Sequence, residues 1–169
     1  SDACGIASLA LNVTTFSCNN VNANTVILTV TDVNGNSSTC ASTVTVLDTV
    51  RPVPNCQNVT VFLNNTGTGA TTASAVNNGS TDNCTIASMV LSQTSFVCAE
   101  VGANTEILTV TDVNGNSATC STIVTVLDTV RPIATCQNIT VQLNNTGTGS
   151  TTAAAVNNGS SDACGIQSL

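Results

Sequence analysis

The sequence predicts an all-β protein made of tandem antiparallel β-sandwich repeats of the immunoglobulin-like (Ig-like) type, joined and stapled by disulfides. Three observations support this prediction: a composition suited to strands and turns, an internal repeat with a period of 80 residues, and four cysteines in each period. Runs rich in Val and Thr favour strands, and Asn-Gly pairs favour the tight turns that join them.

The composition supports the predicted fold and also excludes several classes of function. Of the 169 residues, 41% are hydrophobic and only 7% are charged, the opposite of a composition that keeps a chain disordered. The net charge of -7, with two basic residues, excludes a binding surface for nucleic-acid phosphates. The chain has no histidine, and its two glutamates, Glu100 and Glu106, are replaced by Asn20 and Val26 in the other copy of the repeat. We therefore expect a structural or binding protein and not an enzyme.

The internal repeat is the strongest signal in the sequence. Residues 1–80 and 81–160 are identical at 56 of 80 aligned positions, and residues 161–169 begin a third copy. A period of this length suits a small sandwich domain and is too long for one turn of a solenoid. An Asp-Thr-Val-Arg-Pro segment recurs at 48–52 and 128–132 and marks the boundaries, because proline cannot donate to a β-ladder.

These boundaries divide the chain into three parts. We predict that residues 1–48 are the C-terminal part of one repeat, that residues 49–128 are a complete repeat, and that residues 129–169 are the N-terminal part of the next. Because the chain starts and stops inside the pattern, we expect it to be an excerpt of a longer array.

Alternating apolar residues predict short strands in the complete repeat. The segments are residues 56–63, 71–76, 86–91, 96–98, 106–111 and 119–127. In the first of them Val59, Val61 and Leu63 share the inner face, and in the last Val124 and Val126 do. An Asn-Gly turn at 112–116 predicts a hairpin, and imperfect alternation in 86–91 indicates a bulge. No segment has the pattern of an amphipathic helix.

The residues around this hairpin resemble a known family. The run Thr-Val-Thr-Asp-Val-Asn-Gly-Asn-Ser-Ala-Thr-Cys at 109–120, followed by Val-Thr-Val-Leu-Asp at 124–128 and by Pro132, resembles the hyalin repeat (HYR). The Ser-Asp-Ala-Cys-Gly-Ile variant is similar to arrays in very large Bacteroidota surface proteins, including gliding-motility adhesins. The resemblance implies an Ig-like module, a cell-surface location and a role in adhesion, without implying a ligand.

Four cysteine positions recur in each period. They are Cys4, Cys84 and Cys164; Cys18 and Cys98; Cys40 and Cys120; and Cys56 and Cys136. Disulfides are favoured over zinc because the chain contains neither histidine nor a Cys-x-x-Cys pair, and small secreted β-domains with few aromatics need such cross-links.

The expected topology suggests a pairing scheme for these cysteines. In an Ig-like sandwich the first strand runs parallel beside the last, which brings Cys56 to Cys120. The predicted pairs are Cys56–Cys120, Cys84–Cys98 and Cys4–Cys18, with Cys40, Cys136 and Cys164 paired outside the excerpt. The alternative scheme pairs neighbours, Cys40–Cys56 and Cys120–Cys136, and would link one repeat to the next.

Each period also carries three aspartates at fixed places. The same topology sends Asp48, Asp82 and Asp112 to one pole of the complete repeat, where they would suit Ca²⁺, which takes 6–8 oxygen ligands. Their equivalents in the other copies are Asp2, Asp32, Asp128 and Asp162. The alternatives are that the aspartates only shape turns, or that Arg51 neutralises Asp48 or Asp82.

Asp-Thr-Val at 48–50 and 128–130 also resembles a Bacteroidota O-glycosylation motif, which makes Thr49 and Thr129 candidate glycan sites.

Together these features predict a structural stalk or filament segment of a large extracellular repeat protein, with a cell-surface adhesin as the expected parent. The expected partners are neighbouring repeats, other copies in a filament and an adhesive ligand of unknown identity, without nucleic acid and without membrane insertion in this segment. The alternative is a carbohydrate- or protein-binding surface module without a filament role, which the lack of Trp and Tyr disfavours.

Overall fold

A computed structural model describes residues 5–168 of the chain, which form a mostly β protein with antiparallel sheets and three disulfides. The strands are β1 (Ile6–Leu11), β2 (Asn22–Asp32), β3 (Ser37–Val46), β4 (Val59–Phe62), β5 (Thr68–Ala70), β6 (Ile86–Leu91), β7 (Ser95–Val97), β8 (Gly102–Asp112) and β9 (Ser117–Leu127). Two single-turn helices, α1 (Ala73–Val76) and α2 (Ala153–Val156), and two 3-10 turns, Cys18–Asn20 and Cys98–Glu100, complete the described elements.

Residues 5–48, 49–128 and 129–168 are called the N-terminal, central and C-terminal segments. The N-terminal segment is one sheet in the order β1-β2-β3. The central segment has a four-stranded sheet, β4-β9-β8-β6, and a two-stranded sheet, β5-β7. Strands β1, β2 and β3 pair in the same register as β6, β8 and β9, because Ile6 faces Asp32 as Ile86 faces Asp112. The sequence repeat is therefore also a repeat of strand pairing.

Strand β4 joins its sheet in the way the sequence predicts. It runs parallel to β9, with Val59 opposite Val124 and Phe62 opposite Leu127, while the other neighbours in this sheet are antiparallel. The bulge expected in β6 is present as a register shift between Ile86 and Ser88. The Asn-Gly hairpin joins β8 to β9.

The core of the central segment consists of two small apolar clusters. The first contains Val61, Leu63, Phe96, Val124 and Val126, and the second contains Val76, Leu91, Leu108 and Val110. Of the residues predicted to point inward, Val61, Leu63, Val124 and Val126 are buried and Val59 is half-buried. Phe62, on the opposite face of β4, is 60% exposed. Cysteines border both clusters, so sulfur atoms fill space that large aromatic residues fill in other small domains.

The strand predicted for residues 71–76 is wrong. Ala73–Val76 form α1 because the Thr72 side chain accepts a hydrogen bond from the backbone N–H of Ala75 at 3.1 Å, which caps a helical turn. This local hydrogen bond competes with strand pairing. Val76 therefore reaches the core as a residue of helix α1 and not as a residue of a strand.

Replacing Phe96 by Ala is expected to lower the free energy of unfolding by about 3–5 kcal/mol, because this side chain is fully buried in the first cluster. The matched variant is Phe16→Ala, which alters the equivalent but partly exposed residue of the N-terminal segment and should cost clearly less. Guanidinium denaturation followed by circular dichroism measures both. Equal losses would contradict the assignment of the core to the central segment.

Candidate functional site

The most distinctive sites in the molecule are the two connections between its segments, called joints. The first joint connects residues 5–48 to residues 49–128, and the second connects residues 49–128 to residues 129–168. A disulfide crosses each joint. Cys18 bonds Cys84 across the first joint, with the Cα atoms 5.3 Å apart, and Cys98 bonds Cys164 across the second, with the Cα atoms 5.1 Å apart. Both bonds span 66 residues of sequence, and they are related by the 80-residue offset. Each joint therefore has two covalent connections, the backbone and a disulfide.

This arrangement corrects part of the predicted pairing. Cys56–Cys120 is present as expected, but Cys84 does not bond Cys98. The two lie at opposite joints: Cys84 is in the loop before β6, whereas Cys98 opens a 3-10 turn after β7 and lies against Ala163.

Two further predicted pairings change with it. Cys4–Cys18 is wrong because Cys18 is bonded to Cys84, and Cys4 itself lies outside the described residues, as does Asp2. Cys164 was expected to pair outside the chain, yet its partner is Cys98. Cys40 and Cys136 are free and exposed, which excludes the neighbour scheme for Cys40–Cys56 and Cys120–Cys136.

A glycine makes room for the second joint. Gly67 lies in the turn between β4 and β5 with φ of +71°, and a Cβ atom built there would lie 2.5 Å from the Cys98 sulfur and 3.5 Å from the Cβ atom of Ala163. The equivalent Gly147 has a φ of +75° and nothing within 4 Å. Gly67 thus serves the inter-segment contact in addition to the turn, and this second role could not be read from the sequence.

The three aspartates that the sequence predicts at one pole of the complete repeat do meet at the first joint. Carboxylate oxygens of Asp48, Asp82 and Asp112 lie within 4.8 Å of one another. Asp48 ends the N-terminal segment, whereas Asp82 and Asp112 belong to the loop before β6 and to the β8–β9 hairpin. Arg51 is exposed, and within residues 5–168 it forms no ion pair that neutralises these acids. The second joint has a related group, Asp128, Asp162 and Cys164.

Side-chain amides of the central segment bind Asp48 across the joint. Asn114 donates to Asp48 Oδ2 at 2.9 Å, Asn83 donates to Oδ1 at 3.3 Å, and Asn116 donates to the Asp48 carbonyl at 3.1 Å. Three hydrogen bonds from one segment to the last residue of the other fix the direction in which the chain enters the joint. The Asn-Gly pattern at 112–116 predicts a turn, but nothing in the sequence indicates these contacts across the joint.

Asp112 has a structural task of its own. Its Oδ1 accepts the backbone N–H groups of Asn114 and Asn116, each at 2.8 Å, and its Oδ2 accepts the Asn116 amide at 2.8 Å. Burial raises the pKa of Asp112, but the hydrogen bonds from Asn116 and from the turn outweigh it and hold the pKa below the usual 3.8. Asp32 makes the same contacts, and the Asn116 equivalent, Asn36, is the main cause of its lowered pKa.

Among the described residues, each joint contains one buried carboxylate oxygen that has no hydrogen-bond partner. Asp82 Oδ2 accepts the N–H groups of Cys84 and Thr85 at 2.7 and 3.1 Å, whereas Asp82 Oδ1 is buried without a hydrogen bond. Asp162 repeats the pattern, since Oδ1 accepts the Cys164 N–H at 2.8 Å and Oδ2 is buried without a partner. A buried carboxylate oxygen without a hydrogen-bond partner is costly, so a cation bound at this place would lower the free energy.

The remaining candidates have simpler surroundings. Glu106 is buried and accepts from Ser92, and Glu100 accepts the backbone N–H of Val97 at 2.7 Å. Thr49 and Thr129 are exposed beside the joints, where an enzyme could reach them.

The chain matches no protein-family model, and a search of curated proteins finds no significant match. Among the described residues, no helix has the length and hydropathy of a membrane span. The three disulfides are consistent with an extracellular or otherwise oxidising location.

Gly67→Ala is expected to prevent or strain the Cys98–Cys164 bond, because the added methyl group would overlap the Cys98 sulfur. Gly147→Ala imposes the same positive-φ strain, about 1 kcal/mol, in open space and is the matched control. Thiol counting after oxidative refolding should give two additional free thiols in the first variant alone. Identical thiol counts would contradict the role assigned to Gly67.

The Asp112 turn should make stability depend on pH in a defined window. Since the folded-state pKa lies below 3.8, the contribution is complete above that value and is lost as the pH falls through the folded pKa. Melting temperatures measured between pH 7 and pH 2 should decline below about pH 4 in the wild type, and Asp112→Asn should remove part of that decline. A variant with the full acid-induced decline would refute the assignment.

Proposed function

We propose that this chain is a force-transmitting segment of an extracellular stalk or filament, made of tandem Ig-like repeats and belonging to a large surface adhesin. The single observation that carries the proposal is the disulfide across each joint. A cross-link inside a domain stabilises that domain, but a cross-link between successive segments restricts their separation and bending. Each should also stabilise the folded chain by about 4 kcal/mol through the loss of unfolded-state entropy.

The two joint disulfides give tension a short covalent path through the molecule. A pull from the N-terminal side reaches Cys18, crosses to Cys84, follows the chain to Cys98 and crosses to Cys164. Residues 19–83 and 99–163 lie outside this path. Even complete unfolding could therefore lengthen the path between Cys18 and Cys164 only by straightening the short stretch 84–98.

The joint contacts favour the same role. The hydrogen bonds from Asn83, Asn114 and Asn116 to Asp48 hold the backbone linker on one side of the joint, while Cys18–Cys84 holds the other side. Two separate attachments oppose bending better than one. The chain has only two basic residues, Arg51 and Arg131, and each is followed by proline. This adds resistance to trypsin-like proteases.

Single-molecule pulling on the 169-residue chain through handles at its two termini tests the proposal. Reduction of the disulfides should add about 450 Å of extensible length, because two shielded stretches of 65 residues at ~3.5 Å per residue join the path. The double variant Cys18→Ser/Cys84→Ser should show about a third of this gain without reductant, because the intact Cys56–Cys120 bond still bypasses part of the released stretch.

The matched control for this experiment is Cys56→Ser/Cys120→Ser. It removes a disulfide that lies off the proposed path, so the maximum extension of the chain should stay unchanged although its stability falls. The proposal is wrong if this control lengthens as much as the joint variant, or if the oxidised wild type already extends to the full contour of 169 residues.

We also propose that Ca²⁺ binds the aspartates of the first joint and stiffens it. The favouring features are the approach of three carboxylates within 4.8 Å and the unpaired Asp82 Oδ1. Carboxylate oxygens and nearby amide oxygens are the donors that Ca²⁺ prefers. The ion would offset the mutual repulsion of Asp48, Asp82 and Asp112, for which the described residues supply no neutralising ion pair.

With a Kd of about 10⁻⁴–10⁻³ M, usual for extracellular modules, 10 mM CaCl₂ should stabilise the protein by about 1.4–2.7 kcal/mol. Asp82→Asn should abolish this gain, because it removes a charge of the cluster. Asp32→Asn alters the equivalent of Asp112 in the N-terminal segment and should keep the gain. A melting curve of the wild type that is indifferent to CaCl₂ and to chelator would remove calcium from the proposal.

A further inference from the structure

We infer that Asn114 is a site of spontaneous covalent modification: its side-chain amide deamidates to a carboxylate when the first joint opens, and the new carboxylate then disfavours the closed joint. The inference goes beyond the proposed filament function, since the chemistry needs only water and the residues of this chain. It follows from the residue after Asn114, the contacts of the Asn114 side chain and the charges around it.

Asn114 is followed by Gly115, the sequence context in which an asparagine deamidates most readily. In this reaction the backbone nitrogen of the next residue attacks the side-chain carbonyl carbon, and glycine has no side chain to hinder the approach. Gly115 is exposed, and a Cβ atom built there would meet nothing within 4 Å. Water therefore has access to the reacting atoms.

The reaction balances with water as the only co-reactant. The Gly115 nitrogen loses its proton and forms a bond to Asn114 Cγ, while the bond from Cγ to the side-chain nitrogen breaks and ammonia leaves with that proton. Water then opens the resulting succinimide ring. Opening at one carbonyl gives aspartate at position 114, and opening at the other gives isoaspartate, in which the backbone runs through the former side chain.

The closed joint restrains Asn114 against this reaction. The side-chain nitrogen donates to Asp48 Oδ2 at 2.9 Å, which restricts the rotation that brings Cγ to the attacking nitrogen. The turn is held as well, because the Asn114 N–H donates to Asp112 Oδ1 at 2.8 Å and the Gly115 N–H donates to the Asp112 carbonyl at 3.3 Å. When the joint opens, the contact with Asp48 is lost and the side chain can rotate.

A second Asn-Gly pair in the central segment lacks this restraint. Asn78 precedes Gly79 and is exposed, and within residues 5–168 its side chain makes no hydrogen bond, whereas Asn114 is half-buried against Asp48. Opening of the joint should therefore change the rate at Asn114 and not the rate at Asn78, which makes Asn78 an internal reference.

Deamidation would turn an attraction across the joint into a repulsion. A carboxylate oxygen would replace the nitrogen that lies 2.9 Å from Asp48 Oδ2, so the donor at this contact would become a charged acceptor. Asp48, Asp82 and Asp112 already have carboxylate oxygens within 4.8 Å of one another. Like charges at such distances repel, so the product disfavours the closed joint. Because the released ammonia is lost to the solvent, the change is permanent.

Peptide mass spectrometry of aged protein tests the protection by the closed joint. The oxidised wild type and Asp48→Ala are incubated in mildly alkaline buffer with EDTA, and aspartate and isoaspartate are quantified at positions 114 and 78. Asp48→Ala should deamidate about tenfold faster at Asn114, the factor that corresponds to one hydrogen bond to a charged group, with no change at Asn78.

The matched control is Asp128→Ala at the second joint. Asp128 Oδ1 accepts the Val130 N–H at 3.0 Å, as Asp48 Oδ1 accepts the Val50 N–H at 3.1 Å, so both variants lose the same local turn contact. Only Asp48→Ala also releases Asn114, and Asp128→Ala should age like the wild type. Retention of all three disulfides, checked by mass spectrometry, shows that the variants are correctly folded.

Hydrogen exchange tests the effect of the product. Asn114→Asp reproduces the aspartate form and should raise amide exchange in residues 49–53 about two- to fivefold in EDTA, the range that corresponds to one partly exposed charge pair. Residues 129–133 at the second joint should exchange as in the wild type. Asn34→Asp adds the same charge to the equivalent hairpin of the N-terminal segment and should leave residues 49–53 unchanged.

The inference is overturned if Asn114 deamidates equally fast in the wild type and in Asp48→Ala, or if Asn114→Asp leaves exchange in residues 49–53 at the wild-type rate. Both measurements are made without load, so their failure would not affect the result of the pulling experiment. A long extension of the oxidised wild type, in turn, would refute the filament function and leave the chemistry of Asn114 in place.

Discussion

The disulfide that joins one segment to the next is the constraint on which the rest of the structure depends. Cys98 and Cys164 contact the apolar cluster of Val61, Leu63 and Phe96, so a cysteine from the following segment helps to complete the core of the preceding one. Stability and connection between segments are therefore not separate properties. Opening the second joint would expose core surface as well as break a bond.

This dependence explains several unusual features of the composition. A protein with only three phenylalanines and no Trp or Tyr cannot fill its cores with aromatic rings. Small side chains and sulfur atoms fill them instead, and glycine at position 67 allows the closest approach of turn and disulfide. The scarce charges are concentrated at the joints, where Asp48 links the segments through amide donors and not through ion pairs.

Much of this organisation could be predicted from sequence because it is periodic or local. Alternation located β6, β8 and β9, and the parallel pairing of β4 with β9 led correctly to Cys56–Cys120. The joint disulfides could not be predicted in this way, because the predicted scheme pairs cysteines within one repeat. The 80-residue period of the cysteines is equally compatible with bonds between successive repeats. Helix α1 was missed because one threonine cap outweighs a weak strand pattern.

The convergence of Asp48, Asp82 and Asp112 was predictable because topology alone brings their loops to one pole, but the asparagine contacts to Asp48 depend on side-chain distances that no pattern encodes. Residues 139–142 also show that the sequence pattern alone does not determine local structure, since they form no strand whereas the equivalent Val59–Phe62 form β4. Their sequence specifies a strand only when a neighbouring edge is present, since ladder hydrogen bonds need two chains of backbone. In this protein, whether such a stretch forms a strand is therefore decided by the backbone that lies next to it.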